Sequence, residues 1–271
     1  MSVSAVKAKK GFTLIELLVV IAIIALLLAI LLPSLGMAKD HAKKIGCATN
    51  LRTLGLAVRF YCDDNDGKTP SATNSWGNNK VGWCGYTGRY PLPIPEQIEN
   101  LRKGQLWSYI ETYKGWTCPA DPQKDQLRSY CMAAQWWCRY TKDDDSIPVL
   151  GANKPGVAFR RLSEIKNASD RFLFVDNLGY NADAYSAIHY NMARWWNIPN
   201  FRHRGGSVNG FADGHVETYK FDKETINLAQ ESLDDKSHVD GGFMMKQVDC
   251  DDSEDLKYYM RSTWGVVPWA K

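Results

Sequence analysis

An unbroken apolar run from Leu17 to Leu32, entered through Gly11-Phe12-Thr13-Leu14-Ile15-Glu16, constrains the fold of this chain more than any other feature. From Phe12 to Leu32 there are about 21 residues, which as a helix span roughly 31 Å and match a hydrocarbon core about 30 Å thick. The chain is therefore expected to cross a membrane once. Lys7, Lys9 and Lys10 precede the run and place the N-terminus in the cytoplasm, although Lys39, Lys43 and Lys44 beyond it weaken the asymmetry. The formal net charge of +3 resides in the first three lysines, without which basic and acidic side chains balance. Charge gives no reason to expect nucleic acid as a partner. Glu16 stands inside the apolar stretch, and an ionisable residue within a span is costly enough to mark a functional position.

A cleaved secretory signal has a shorter apolar core, about 7–15 residues, ending in a small-x-small site. Here the run continues into Pro33-Ser34-Leu35 without one. A plain signal anchor accounts for the length but not for Glu16. The basic leader, Gly11, Phe12, Glu16 and the apolar helix together resemble the N-terminus of type IV prepilins and type II secretion pseudopilins. The resemblance implies that a prepilin peptidase cuts between Gly11 and Phe12 and methylates the new amine. It implies that Glu16 pairs with the N-terminus of a neighbouring subunit, and that everything after about Pro33 lies outside. The implied fold is α+β: a long N-terminal helix, transmembrane in its first half, packed on a small antiparallel sheet in a pilin-like head with loop-rich insertions.

Leu35, Ala38, Ala42, Ile45, Ala48, Leu51, Leu54, Val58 and Tyr61 recur every three or four residues, one face of an amphipathic helix. Pro33 should kink this helix rather than end it, giving one helix from about Phe12 to Tyr61. The expected organisation is a leader over 1–11, a transmembrane or filament-core helix over 12–33, its amphipathic continuation over 34–62, and an extracytoplasmic head over 63–221. A C-terminal extension over 222–271 receives no role from the sequence. Cys62-Asp63-Asp64-Asn65-Asp66-Gly67 has the acidity of a calcium loop without its spacing: Cys62 holds the first ligand position and Thr73 the place of the Glu. A solvated helix end closing in an Asp-Gly turn is the simpler expectation.

The stretch from 68 to about 160 is rich in Trp, Tyr, Pro, Gly and Asn. A short helix is expected over Leu101–Tyr113, and Cys118-Pro119-Ala120-Asp121-Pro122 reads as a tight turn. Trp107, Trp116, Trp136 and Trp137 are expected to fill a core rather than stack on sugars. Seven cysteines in an oxidising compartment make disulfides plausible, with an odd thiol left over. Cys47 and Cys62 on one helix stand about 22 Å apart and cannot pair with each other; Cys84, Cys118, Cys131 and Cys138 are the better candidates, with open connectivity. No CxxC pair or metal-ligand spacing appears, so neither a metal nor a cofactor is expected.

Arg171–Asp176 reads as a short buried strand. Val208–Ala212, Asp213-Gly214 and His215–Tyr219 read as a hairpin closed by a type I′ turn. His203, nine residues and then Asp213-Gly214 resemble the H-x9-DG signature of a large group of prepilin-like proteins, in which it is described as processing-associated. Cys47, the Cys118-Pro119 turn and Ser129-Tyr130 extend that resemblance in scattered patches. His203, Asp213, His215, Asp176 and His189 include the residue types of a general base or metal site. Without a nucleophile elbow, an HExxH or a phosphate loop, a structural role is expected, with His203 bonding near the hairpin turn and Asp213 capping it.

The resulting expectation is a non-enzymatic pseudopilin-like subunit of a type II-like secretion system or pilus-like fibre. Its partners are prepilin peptidase, other pilin or pseudopilin subunits and the inner membrane, with the head in the periplasm or on the cell surface. The alternative is a membrane-anchored surface binding protein, for instance for polysaccharide, that borrows the prepilin anchor. It predicts an exposed aromatic groove within 76–140.

Overall fold

The computed structural model describes residues 12–72, 82–85, 92–123, 125–133, 161–177, 185–186, 200–234 and 253–264. The chain divides into two compact units, Met1–Ala42 and Lys43–Lys271. Helix α1, Leu14–Asp64, begins in the first unit. Its start is a reciprocal cap: the Thr13 amide and hydroxyl both donate to Glu16 Oε2 at 2.8 Å, and the Glu16 amide donates to Thr13 Oγ1 at 3.3 Å. The pattern Thr-x-x-Glu thus satisfies donors that a helix N-terminus leaves open. The helix continues through Pro33, and Ser34 Oγ donates to the Leu31 carbonyl at 2.8 Å. Every large apolar side chain among the described residues of this unit is exposed, from Leu14 at 79% to Val20 at 43%, and the helix is long and apolar enough to cross a membrane.

In the second unit, the last turns of α1 bury Cys47, Leu51, Leu54, Gly55, Val58 and Cys62, a stripe at three- and four-residue spacing. Leu51, Leu54 and Val58 are where the periodicity puts them. Ile45 is not: it is 54% exposed, because the buried stripe starts at Cys47. The helix ends in a Schellman-type cap, the Gly67 amide donating to the Cys62 carbonyl at 2.8 Å with Asp66 and Gly67 at φ 55° and 74°. Asp64 accepts from Tyr109 Oη at 2.9 Å, so the acidic segment is a helix terminus.

The sheet has the order β3-β1-β2-β4-β5. Its strands are β1 (Tyr130–Ala133), β2 (Phe172–Asp176), β3 (Tyr185–Ser186), β4 (Gly206–Phe211) and β5 (Val216–Lys220). β1, β2, β4 and β5 are antiparallel neighbours, and β3 adds a two-residue parallel edge. With the long helix this makes the pilin-like α+β arrangement. Gly210 of β4 lies against Leu51, and Gly55 against Leu173, so residues without side chains let α1 lie close on the strands. Alternation then turns Ser207 and Asn209 to the opposite face, where both meet the Tyr259 hydroxyl, at 2.6 and 3.2 Å.

Tyr259 belongs to helix α5 (Glu254–Trp264), which with α4 (Lys223–Asp234) comes from the tail that the sequence left without a role. Both helices join the core through Ala229, Leu256, Tyr259 and Met260, and Tyr258 stacks on Tyr219 with centroids 3.9 Å apart. The expected helix over Leu101–Tyr113 is instead two, α2 (Ile94–Arg102) and α3 (Trp107–Ile110). They are broken at Gly104, where a Cβ would stand 2.5 Å from the Cα of Cys84. The hairpin turn also differs. The Gly214 amide bonds the Phe211 carbonyl, and the Phe211 amide bonds the His215 carbonyl. Of the loop residues Ala212, Asp213 and Gly214, only Gly214 has positive φ, 96°. This is a three-residue loop with a left-handed glycine, not the type I′ turn that needs two such residues.

Candidate functional site

At the N-terminus Phe12 is exposed and Glu16 is engaged with Thr13 of its own helix; Gly11 lies outside the described residues. The second group of predicted residues behaves differently. His203 and Asp213 stand at opposite ends of β4, whose six residues extend roughly 20 Å. Asp213 caps the hairpin turn, accepting from the His215 amide at 3.0 Å, while Arg59 of α1 donates to the Asp213 carbonyl at 2.6 Å. His203 does not bond near that turn. His203 and Asp213 therefore do not share one site among the described residues.

His203 instead enters a buried cluster with Cys47, Cys118 and Asp176, whose ligand-type atoms lie within 4.8 Å of one another. Each comes from a different part of the fold. Cys47 opens the buried stripe of α1, next to Gly46, where a Cβ would meet Pro119 at 3.1 Å. Cys118 begins the predicted tight turn, closed by the Asp121 amide on the Cys118 carbonyl at 2.9 Å. Asp176 ends β2 opposite Tyr130 of β1. His203 sits in a loop tightened by Arg204 and Gly205 at φ 58° and 83°, its amide donating to the Gly206 carbonyl at 3.2 Å.

The contacts converge on His203 Nε2, with Cys118 Sγ at 3.2 Å and Asp176 Oδ2 at 3.5 Å. Cys47 Sγ is 3.8 Å from the same Oδ2 and accepts from Tyr130 Oη at 3.4 Å. Arg202 bridges Asp121 at 2.5 Å and Asp176 Oδ1 at 3.7 Å. Ser129 Oγ donates to Asp121 Oδ2 at 2.6 Å and accepts from the Cys118 amide at 2.9 Å. The Cys118 thiol is lowered to about 7 by its hydrogen bond with Cys47, against burial and the Asp176 charge. Burial pulls His203 down, but hydrogen bonds to Asp176 and Cys118 outweigh it and hold the ring up at about 9.

Chemically this is no nucleophile relay. In such a triad the thiol and the carboxylate engage different ring nitrogens, whereas here both address Nε2. The side chains of His203 and Asp176 are 1% and 0% exposed, as befits groups that hold one another in the core.

Cys84, Cys118 and Cys131, put forward as disulfide partners, carry free buried thiols, as do Cys47 and Cys62. Cys118 is committed to the cluster, Cys131 accepts from Arg128 at 3.3 Å, and burial pushes Cys84 up to about 12. Cys138 and His189 lie outside the described residues. The lack of local ligand spacing, from which no metal set was expected, does not carry into three dimensions. Arg202 gave no signal in the sequence, and Asp121 only that of the tight turn. Cys47, Cys118-Pro119, Ser129-Tyr130 and His203, the scattered patches of the second resemblance, all meet here. Of the aromatics, Trp83 and Trp116 are buried and stacked at 5.2 Å; Trp136 and Trp137 lie outside the described residues.

Residues 6–32 match the prokaryotic N-terminal methylation motif. The chain is 40% identical over 63 residues to a ComG operon protein 3 homolog of Bacillus licheniformis, covering 23% of this chain and 65% of that protein. It is 32% identical over 98 residues to the type IV major pilin protein PilA of Myxococcus xanthus, covering 32% of this chain and 44% of that one. The chain thus spans less than two thirds of the length of these relatives. No solved structure gives a significant match.

Proposed function

We propose that this chain, which carries a prepilin-type N-terminus, is a pilin- or pseudopilin-type structural subunit of a type II-like secretion pseudopilus or pilus-like fibre. Prepilin peptidase cuts it between Gly11 and Phe12, and its N-terminus starts in the cytoplasm with the head beyond the inner membrane. The observation that carries the proposal is the first unit: a capped helix bearing the methylation motif, whose apolar side chains are exposed among the described residues. Such a surface is at home in lipid or against identical helices, and lateral helix packing needs no water-driven force. On this view the work of the protein is interfacial, and the peptidase is the enzyme. Display of a sugar-binding groove draws no support from Trp83 and Trp116, which are sealed in the core.

The test is the N-terminal residue and mass of protein from its native membrane, with and without the host peptidase. An N-methyl-Phe12 start that disappears with the peptidase is expected. An intact Met1 in the presence of the peptidase would sink the proposal.

A further inference from the structure

We propose that Cys47, Cys118, Asp176 and His203 form a closed structural site for a thiophilic divalent metal ion, zinc foremost, clamping α1 to the sheet. This rests on the head alone and stands whether or not the chain assembles into a fibre. Zinc bonds sulfur at about 2.3 Å and nitrogen or oxygen at about 2.0–2.1 Å, so the edges of its ligand tetrahedron measure about 3.3–3.8 Å. Three of the six edges here are 3.2 Å from Cys118 to His203, 3.5 Å from His203 to Asp176 and 3.8 Å from Asp176 to Cys47, and the other three are no longer than 4.8 Å, so binding an ion draws the four groups slightly inward.

Convergence is the decisive point. One Nε2 proton can be directed well at only one acceptor, yet Cys118 and Asp176 both face that nitrogen. A cation at the centre satisfies all four groups at once. Two thiolates, an imidazole and a carboxylate suit zinc among the common divalent ions, and four buried ligands with no open position characterise structural rather than catalytic sites.

The surroundings match what metal ligands require around them. The Ala120 amide donates to Cys118 Sγ at 3.4 Å, and Tyr130 Oη donates to Cys47 Sγ at 3.4 Å. The excess negative charge that two thiolates and a carboxylate leave on a divalent ion faces Arg202, 3.7 Å from Asp176 Oδ1. The four ligands join a helix, a turn, a strand end and a loop, so the free energy of metal binding becomes free energy of folding.

The test uses the full chain purified in mild detergent from its native membrane, with a histidine-free tag and no chelator. Elemental mass spectrometry is expected to find about one zinc per chain, the stoichiometry of a single closed site. Cys118→Ser and His203→Gln are expected to lose most of it, while Arg59→Ala, at the hairpin turn, retains it. Exchange of the unmodified protein into Co2+ should give tetrahedral visible bands and a thiolate charge-transfer band, a readout that stands even where a variant fails to fold. Metal-free protein with free thiols, a Cys47–Cys118 disulfide, or a cobalt spectrum without the thiolate band would each overturn the proposal.

Discussion

Two glycines in one strand set up a sharp comparison. At Gly206 an added Cβ would lie 2.5 Å from the backbone carbonyl oxygen of Tyr219, on the neighbouring strand β5. At Gly210 the nearest atom would be Leu51 Cβ, at 3.6 Å, an ordinary contact. Neither glycine is in the left-handed region, so sterics alone separate them. Gly206→Ala forces two paired backbones apart, and overpacking of this kind costs about 1–3 kcal/mol. The carbonyl cannot rotate away as a side chain would, which puts the cost at the upper end, roughly 2–3 kcal/mol. Gly210→Ala removes unfolded-state freedom worth about 0.4–1 kcal/mol and is expected to be neutral or slightly stabilising. In a domain of this size 1 kcal/mol moves the melting temperature by roughly 2–4 °C, so Gly206→Ala should melt about 5–10 °C below the parent and Gly210→Ala at or above it. The assay is near-ultraviolet circular dichroism of the full chain in detergent. Equal melting temperatures for the two variants would refute the β4–β5 register. Because His203 bonds the Gly206 carbonyl, the first variant should also disturb the buried cluster.

Trp116→Ala removes a fully buried ring stacked on Trp83 and should cost about 3–5 kcal/mol, read from the urea midpoint; a cost below 1 kcal/mol would mean the ring is not in the core. Asp213 is raised by burial but lowered further by the His215 amide and ring, for a net lowered pKa. Its contribution is therefore present above the ordinary carboxylate pKa of about 4 and is lost as pH falls through the depressed value. Asp213→Ala should lower the melting temperature at neutral pH and leave it unchanged in acid below that value; a deficit persisting there would contradict the assignment. Glu16→Gln keeps an acceptor for the Thr13 cap but loses the charge, whereas Thr13→Val loses the two hydroxyl bonds of the cap and keeps the charge. Fibre cross-linking should fail for the first and survive the second, and the reverse pattern would assign Glu16 a capping role only.

The first unit was legible because its information is local: an apolar run of membrane length, a Thr-x-x-Glu start and a glycine-phenylalanine junction. The β2 and β4–β5 strands were legible from strand formers and an Asp-Gly turn. What escaped was non-local. Cys47, Cys118, Asp176 and His203 are far apart in sequence, so no spacing announces their convergence. Ile45 continued a periodic pattern, but periodicity does not state where along a helix its covering surface begins. The break at Gly104 follows from the approach of Cys84, and the tail offered polar, short-period helices whose apolar side chains matter only once β4 exists to receive them.

The position of α5 sets an order of events. Ser207 and Asn209 of β4 find the Tyr259 hydroxyl only after the residues of α5, Glu254–Trp264, have been made. At a synthesis rate of about 5–20 residues per second, the strand spends seconds with one polar and aromatic face open. The head thus cannot close from its N-terminal end as it emerges. It completes its core in one late step, during which an unpartnered β4 face is what a chaperone, or a second unfinished copy of the chain, would meet.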